Sequence, residues 1–216
     1  MTQILYAYIS EENHDYLMQR HLNEFPDEFK NKVLAYKKWQ DSQLSLLGRL
    51  LLNHGLQRMG IKHEKKNLNY TLYNKPFLED ITTKFNISHS GEMAVCVLSD
   101  LNDVGIDVEI IHNINIQDFE SQMTKKEWQN ILLEEDGNKA FFDYWTQKEA
   151  VIKANGKGLS IPLKSFEVTN QRTKINDETF FLKEIFLDEK YKCHLAFKDK
   201  IDTMIEAPKI VMINDL

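Results

Sequence analysis

Cysteine, proline and glycine are all scarce in this 216-residue chain, at 2, 4 and 8 residues. Two cysteines cannot build a disulfide framework, so a packed core must hold the fold. Both Cys96 and Cys193 sit in apolar, strand-like runs (AVCVL and CHLAF), where a buried free thiol is the ordinary reading. So few glycines and prolines leave no composition for a flexible linker. No apolar run reaches the ~18–20 residues that a membrane helix needs. The opening MTQILYAYIS lacks the basic start and apolar centre of a secretory signal and alternates like a strand. A cytoplasmic protein with no membrane partner is therefore expected. An excess of positive charge is missing too, with 27 Lys and Arg against 33 Asp and Glu and a net charge of −6. That disfavours a nucleic-acid polymer as partner, since phosphate binding draws on surplus cationic groups. A local basic cluster remains compatible with one small phosphate-bearing ligand.

What is present is ordinary globular material, 42% hydrophobic and 28% charged, enough for one large core or two small ones. The patterning predicts a strand over 1–10. A helix is predicted over 26–39, with Phe29, Val33 and Tyr36 at helical spacing, and another over 41–59, with a Leu44–Leu47–Leu51 stripe that stops at Gly60. Asn74 and Pro76 mark a turn in TLYNKPFL. Residues 84–98 read as a short strand, a loop at SHSGE and a strand MAVCVL. Residues 104–111 (VGIDVEII) read as a further strand. Helices are predicted over 124–135, with Thr124 as N-cap, and over 138–155. Later strands are predicted in FFLKEIFL and KCHLAFKD. Strands and helices mix through both halves, which predicts an α+β fold with halves near 1–103 and 104–216.

Strand periodicity places Val104, Ile106 and Val108 on one face and the carboxylates Asp107 and Glu109 together on the other. They are compatible with a solvated sheet face, or with a cleft where a hard cation such as Mg²⁺ relieves their repulsion. Glu149 and Lys153 lie four apart on the 138–155 helix. That spacing fits a surface ion pair, or a third metal ligand beside a lysine that meets a bound anion. Lys30, Lys32 and Lys75 are basic candidates, and Ser88 and His89 sit where a loop is expected, a common place for ligand contacts. Spacing alone leaves these readings open.

Taken in order, YNKPFL (73–78), FNISHSG (85–91), VGIDVEII (104–111), TKKEW (124–128) and FFDYWTQKEAVIKANGKGLSIPL (141–163) resemble the 4′-phosphopantetheinyl transferase superfamily, in its larger, single-chain, Sfp-type form. The resemblance implies two similar α+β halves forming a pseudo-dimer, with the active site in the cleft between them. It implies transfer of the phosphopantetheine arm of coenzyme A to a serine of an apo acyl- or peptidyl-carrier protein. Adenosine 3′,5′-bisphosphate would be the other product. It assigns Asp107, Glu109 and Glu149 to Mg²⁺, Lys153 to the transferred phosphate and Glu127 to the general base. Ser88, His89, Lys32 and Lys75 are assigned to the nucleotide of coenzyme A. It also implies a monomer. One departure stands out: Leu44 occupies a place where some members carry an arginine for the 3′-phosphate. A non-catalytic relative that binds carrier or coenzyme A is the alternative from another class.

Overall fold

The computed structural model describes residues 1–61, 68–79, 81–199 and 204–216. The first half begins with β1 (Thr2–Tyr8), followed by three helices, α1 (His14–His21), α2 (Asp27–Leu34) and α3 (Trp39–Arg58). A two-stranded ribbon, β2 (Asn69–Tyr70) with β3 (Pro76–Phe77), leads to the hairpin β4 (Lys84–Ser90) and β5 (Met93–Ser99). The second half starts at β6 (Val104–Ile110) and continues through α4 (Lys125–Leu133) and α5 (Gly137–Asn155). It closes with β7 (Arg172–Ile175), β8 (Glu178–Glu184) and β9 (Tyr191–Lys198). Finally β10 (Lys209–Ile210) returns to pair in parallel with β1 of the first half.

The expected α+β class is observed as two four-stranded sheets, ordered β10-β1-β5-β4 and β6-β9-β8-β7. Without the flanking β10 and β7, the two orders are equivalent. Each runs first strand, last strand, middle strand, with antiparallel pairing throughout. Each sheet also carries one long helix, 20 residues in α3 and 19 in α5. Apolar side chains of α3 close a core against Leu5, Cys96 and Leu98. The opposite faces of the sheets meet through Ile4, Val95 and Val97 from one and Ile106, Val108 and Leu195 from the other. A third core lies between α5 and Phe180, Leu182 and Ala196.

Several boundaries differ from the periodicity. α2 stops at Leu34 because Ser42 Oγ donates to Val33 O at 3.0 Å, satisfying an end carbonyl while Lys38 turns extended. α1 was not anticipated, since only Leu17 and His21 of its eight residues are buried and too little apolar stripe shows. The expected SHSGE loop is strand up to Ser90, and the turn is carried by Gly91 at φ +56°. Thr124 does cap α4, in a reciprocal box with Glu127.

Close approach of α5 to its sheet depends on Gly105. A Cβ there would collide with the backbone oxygen of Ala150 and the backbone nitrogen of Ala154. Backbone cannot swing away as a side chain can, so Gly105→Ala is expected to cost about 3 kcal/mol or more. That corresponds to a fall in Tm of roughly 6–12 °C for a chain of this length, readable by thermal denaturation.

Candidate active site

β4 and β6 are edge strands of different sheets, yet they lie side by side. Instead of a backbone ladder, alternate side chains of β4 accept from alternate backbone N–H groups of β6. Asn86 Oδ1 accepts from Ile106 N at 2.9 Å, Ser88 Oγ from Val108 N at 3.4 Å and Ser90 Oγ from Ile110 N at 3.2 Å. The hydroxyls then use their own protons on the acids of β6. Ser88 donates to Asp107 Oδ1 at 3.1 Å, and Ser90 donates to Glu109 Oε2 at 2.6 Å. A strand from the first half thus orients two carboxylates of the second.

α5 supplies the opposite wall. Lys153 Nζ donates to Asp107 Oδ1 at 2.5 Å and to Ser88 Oγ at 2.9 Å. Glu149 lies close enough for the charge of Asp107 to raise its pKa. A cleft of about 190 Å³ opens here, lined by Asn86, Glu149 and Lys153 together with Tyr73, Asn74 and Lys75. The structure therefore gathers Ser88, Asp107, Glu109, Glu149 and Lys153, drawn from three segments of the sequence.

The electrostatics are those of anions held out of water. Burial raises the pKa of Asp107, with Lys153 and Ser88 pulling it back. Burial, and then the neighbouring charge of Asp107, raise Glu109 and Glu149. Asp107 Oδ2 is buried with no hydrogen-bond partner, an orphaned acceptor of the kind that demands an explanation. A buried carboxylate oxygen without a donor, with Glu109 and Glu149 within electrostatic range of it, is the kind of all-oxygen set that suits a hard divalent cation such as Mg²⁺.

The other expected residues divide. Lys32 lies exposed in the last turn of α2. His89 has an exposed edge, but burial of the ring and then the nearby Lys153 lower its pKa, while Asp41 raises it and Lys32 lowers it further. His89, Lys32 and Asp41 thus flank the cluster electrostatically. Lys75 lines the cleft and turns its ammonium to backbone carbonyls. Its ammonium donates to Ala154 O at 3.1 Å and Val104 O at 3.4 Å, and burial lowers its pKa to about 8. Its stem packs against the C-cap of α5, Gly156, at φ +83°. Glu127 does not join the cluster either. It is 1% exposed and paired with Lys148, because the capping box turns its side chain back onto the start of α4. Leu44 is buried in the first core, and Arg49 lies over the rings of Phe25 and Phe29.

Sequence reasoning missed Asn86 and Ser90. The available signal was polar residues at every second position, Asn86, Ser88 and Ser90, alternating with Phe85 and Ile87 in a strand-like run. A separate group, Asp143, Glu184 and His194, brings potential ligand atoms within 4.8 Å of one another. Lys192 Nζ already bridges its two carboxylates at 2.8 and 2.6 Å, so the group is an ion-pair cluster built around that lysine.

Comparison with known proteins shows the family of the chain. Residues 103–205 match the family model described as 4′-phosphopantetheinyl transferase superfamily, and residues 12–100 match the one described as 4′-phosphopantetheinyl transferase, N-terminal. The chain is 36% identical over 177 residues to the 4′-phosphopantetheinyl transferase gsp of Aneurinibacillus migulanus, covering 77% of this chain and 73% of that protein. It is 30% identical over 155 residues to the 4′-phosphopantetheinyl transferase Sfp of Bacillus subtilis, covering 69% and 68%. It is 28% identical over 217 residues to the L-aminoadipate-semialdehyde dehydrogenase-phosphopantetheinyl transferase of Xenopus laevis, covering 86% and 72%. The chain belongs to the 4′-phosphopantetheinyl transferase superfamily and is an enzyme of its Sfp-type group.

A carboxylate whose folded pKa is raised favours folding below its unfolded pKa, and that contribution is lost as pH rises through the folded value. Asp107→Asn is therefore expected to raise Tm at pH 7–8, with the gain fading toward pH 4. Mg²⁺ should raise the Tm of the native protein and leave that of the variant unchanged. Thermal shift measured across pH, with and without the metal, checks both expectations.

Proposed function

We propose that this enzyme moves the 4′-phosphopantetheine arm of coenzyme A, in the presence of Mg²⁺, onto a serine hydroxyl of an apo acyl- or peptidyl-carrier protein. The observation that carries this reading is the Ser88–Lys153–Asp107 cluster with its orphaned carboxylate oxygen, flanked by Glu109 and Glu149. Such a cluster suits a pyrophosphate, and its one hydroxyl, Ser88, is already committed to Asp107, Lys153 and the Val108 N–H. The nucleophile then comes from the protein partner.

In the transfer, the carrier serine oxygen bonds to the phosphorus that bears pantetheine. The bridging P–O bond breaks, adenosine 3′,5′-bisphosphate departs with that oxygen, and the serine proton passes to solvent water. Asp107, Glu109 and Glu149 would hold Mg²⁺, which when bound neutralises pyrophosphate charge. Lys153, 27% exposed in its side chain, presents its Nζ to the cleft where charge develops on the departing group. Ser88 fixes both Asp107 and Lys153 in place. His89 and Lys32 take the nucleotide end, His89 as a neutral donor at pH 7 because its pKa is lowered. Lys75 serves the same end through its loop, which lines the cleft. A monomer is the working form that the family resemblance implies. No helix among the described residues is long and apolar enough to cross a membrane.

The test is incubation with coenzyme A, Mg²⁺ and a panel of apo-carrier proteins, read by intact mass. One phosphopantetheine added to a carrier serine is expected. Binding of coenzyme A without any adduct would instead identify a non-catalytic relative. Lys153→Ala should lower kcat by about 10²–10³-fold, the scale of losing one charge-stabilising donor, with the fold retained.

A further inference from the structure

Glu127 and Lys148 are 1% and 0% exposed, with Lys148 Nζ 2.8 Å from Glu127 Oε2. The remaining protons of the ammonium go to Phe166 O at 2.7 Å and Leu163 O at 2.9 Å. The carboxylate also accepts from Thr124 N at 2.9 Å on the same oxygen and from Val168 N at 3.4 Å on the other. Both partners are thus committed to internal contacts. A general base must reach the proton it removes, within hydrogen-bond distance or through one water. That proton arrives on the serine of another protein, and Glu127 presents almost no surface to meet it. The pair instead ties three segments together: the start of α4, the middle of α5 and residues 163–168. Lys148 immediately precedes Glu149, so its contacts set the rotation of α5 about its axis.

We infer that Glu127 is a positioning residue: acting through Lys148, it fixes α5 so that Glu149 and Lys153 face Asp107, and it does not take the serine proton. This rests on the transferase reading above.

The test is a cycle of Glu127→Gln, Lys148→Met and the double variant. Each single change leaves its partner's charge buried without a counter-charge, which is more costly than removing both charges. Each single variant is expected to lower Tm by roughly 6–20 °C. Each should also raise several-fold the Mg²⁺ concentration needed for half-maximal coenzyme A binding, measured by calorimetry below the melting range. The double variant should recover most of both losses. Its kcat should return to within tenfold of native, with the pH profile keeping its shape. A double variant with restored Tm but kcat lower by about 10²–10⁴-fold would overturn the inference and make Glu127 the base. Single variants that lose stability with no change in Mg²⁺ requirement would also overturn it, leaving the pair merely structural. Should the double variant fail to fold, Glu127→Gln below its melting temperature decides. An unchanged pH profile with a raised Mg²⁺ requirement supports positioning, and a lost acid limb refutes it. If the native protein transfers nothing to any carrier, the transferase reading fails, while the Tm and Mg²⁺-binding cycle still tests the coupling of the pair to the carboxylates.

Discussion

The side-chain ladder between β4 and β6 is the contact on which the site depends. Two sheet edges are brought together without sharing a backbone ladder, and the unpaired N–H groups of β6 find Asn86, Ser88 and Ser90 instead. Each such bond contributes only about 0.5–1.5 kcal/mol net, but leaving a buried N–H without one costs about 1–3 kcal/mol. The pairing is therefore specific more than it is strong. A slip of one residue would present Phe85 and Ile87 to those N–H groups and turn the polar residues into the first core. Side chains are used in place of backbone for a chemical reason as well. A serine hydroxyl that accepts from an N–H still has a proton to give. Ser88 and Ser90 give theirs to Asp107 and Glu109, so one set of residues both joins the halves and aims the acids.

That arrangement carries a standing electrostatic cost. Asp107, Glu109 and Glu149 are drawn into low-dielectric surroundings within range of one another, and burial raises all three. Lys153 and Ser88 compensate Asp107 in part, and Oδ2 of the same carboxylate is left without a donor. A fold selected for stability alone would replace such a group. Its presence at the junction of two sheets is consistent with the cation-bound site proposed above. The net charge of −6 reads differently in this light, because part of the acidic excess is concentrated where a cation would meet it.

The elements readable in the sequence are those whose own periodicity matches their environment. VGIDVEI alternates apolar against polar because one face meets the other sheet and the other faces α5. Thr124 and Glu127 lie at capping-box spacing, so the start of α4 was legible from the residues themselves. α1 was not, because two buried positions in eight make no stripe. The strand character of SHS was hidden for a different reason. Polar residues at every second place look like a solvated loop, and only the neighbouring strand edge shows that they are satisfied within the protein. Glu127 shows the same limit at the level of function. Its place in TKKEW fits a family pattern, but which way its carboxylate turns depends on Lys148, twenty-one residues on, and on the carbonyls of Leu163 and Phe166.

α5 is consequently fixed from three directions, and each acts by a different force. Gly105 admits the helix backbone to the sheet at a separation no Cβ would allow, which sets its height. The buried Lys148 sets its rotation. Lys75, reaching from the first half, donates to Ala154 O at the negative end of the helix, where a cation both satisfies a terminal carbonyl and offsets the helix dipole. Height, rotation and end are all that a rigid helix needs to place Glu149 and Lys153 opposite Asp107. Lys75 also belongs to the loop that lines the cleft, so the contact that holds the end of α5 shapes the wall a nucleotide would meet. One ammonium group from the first half is thereby held against the end of the helix that carries Lys153.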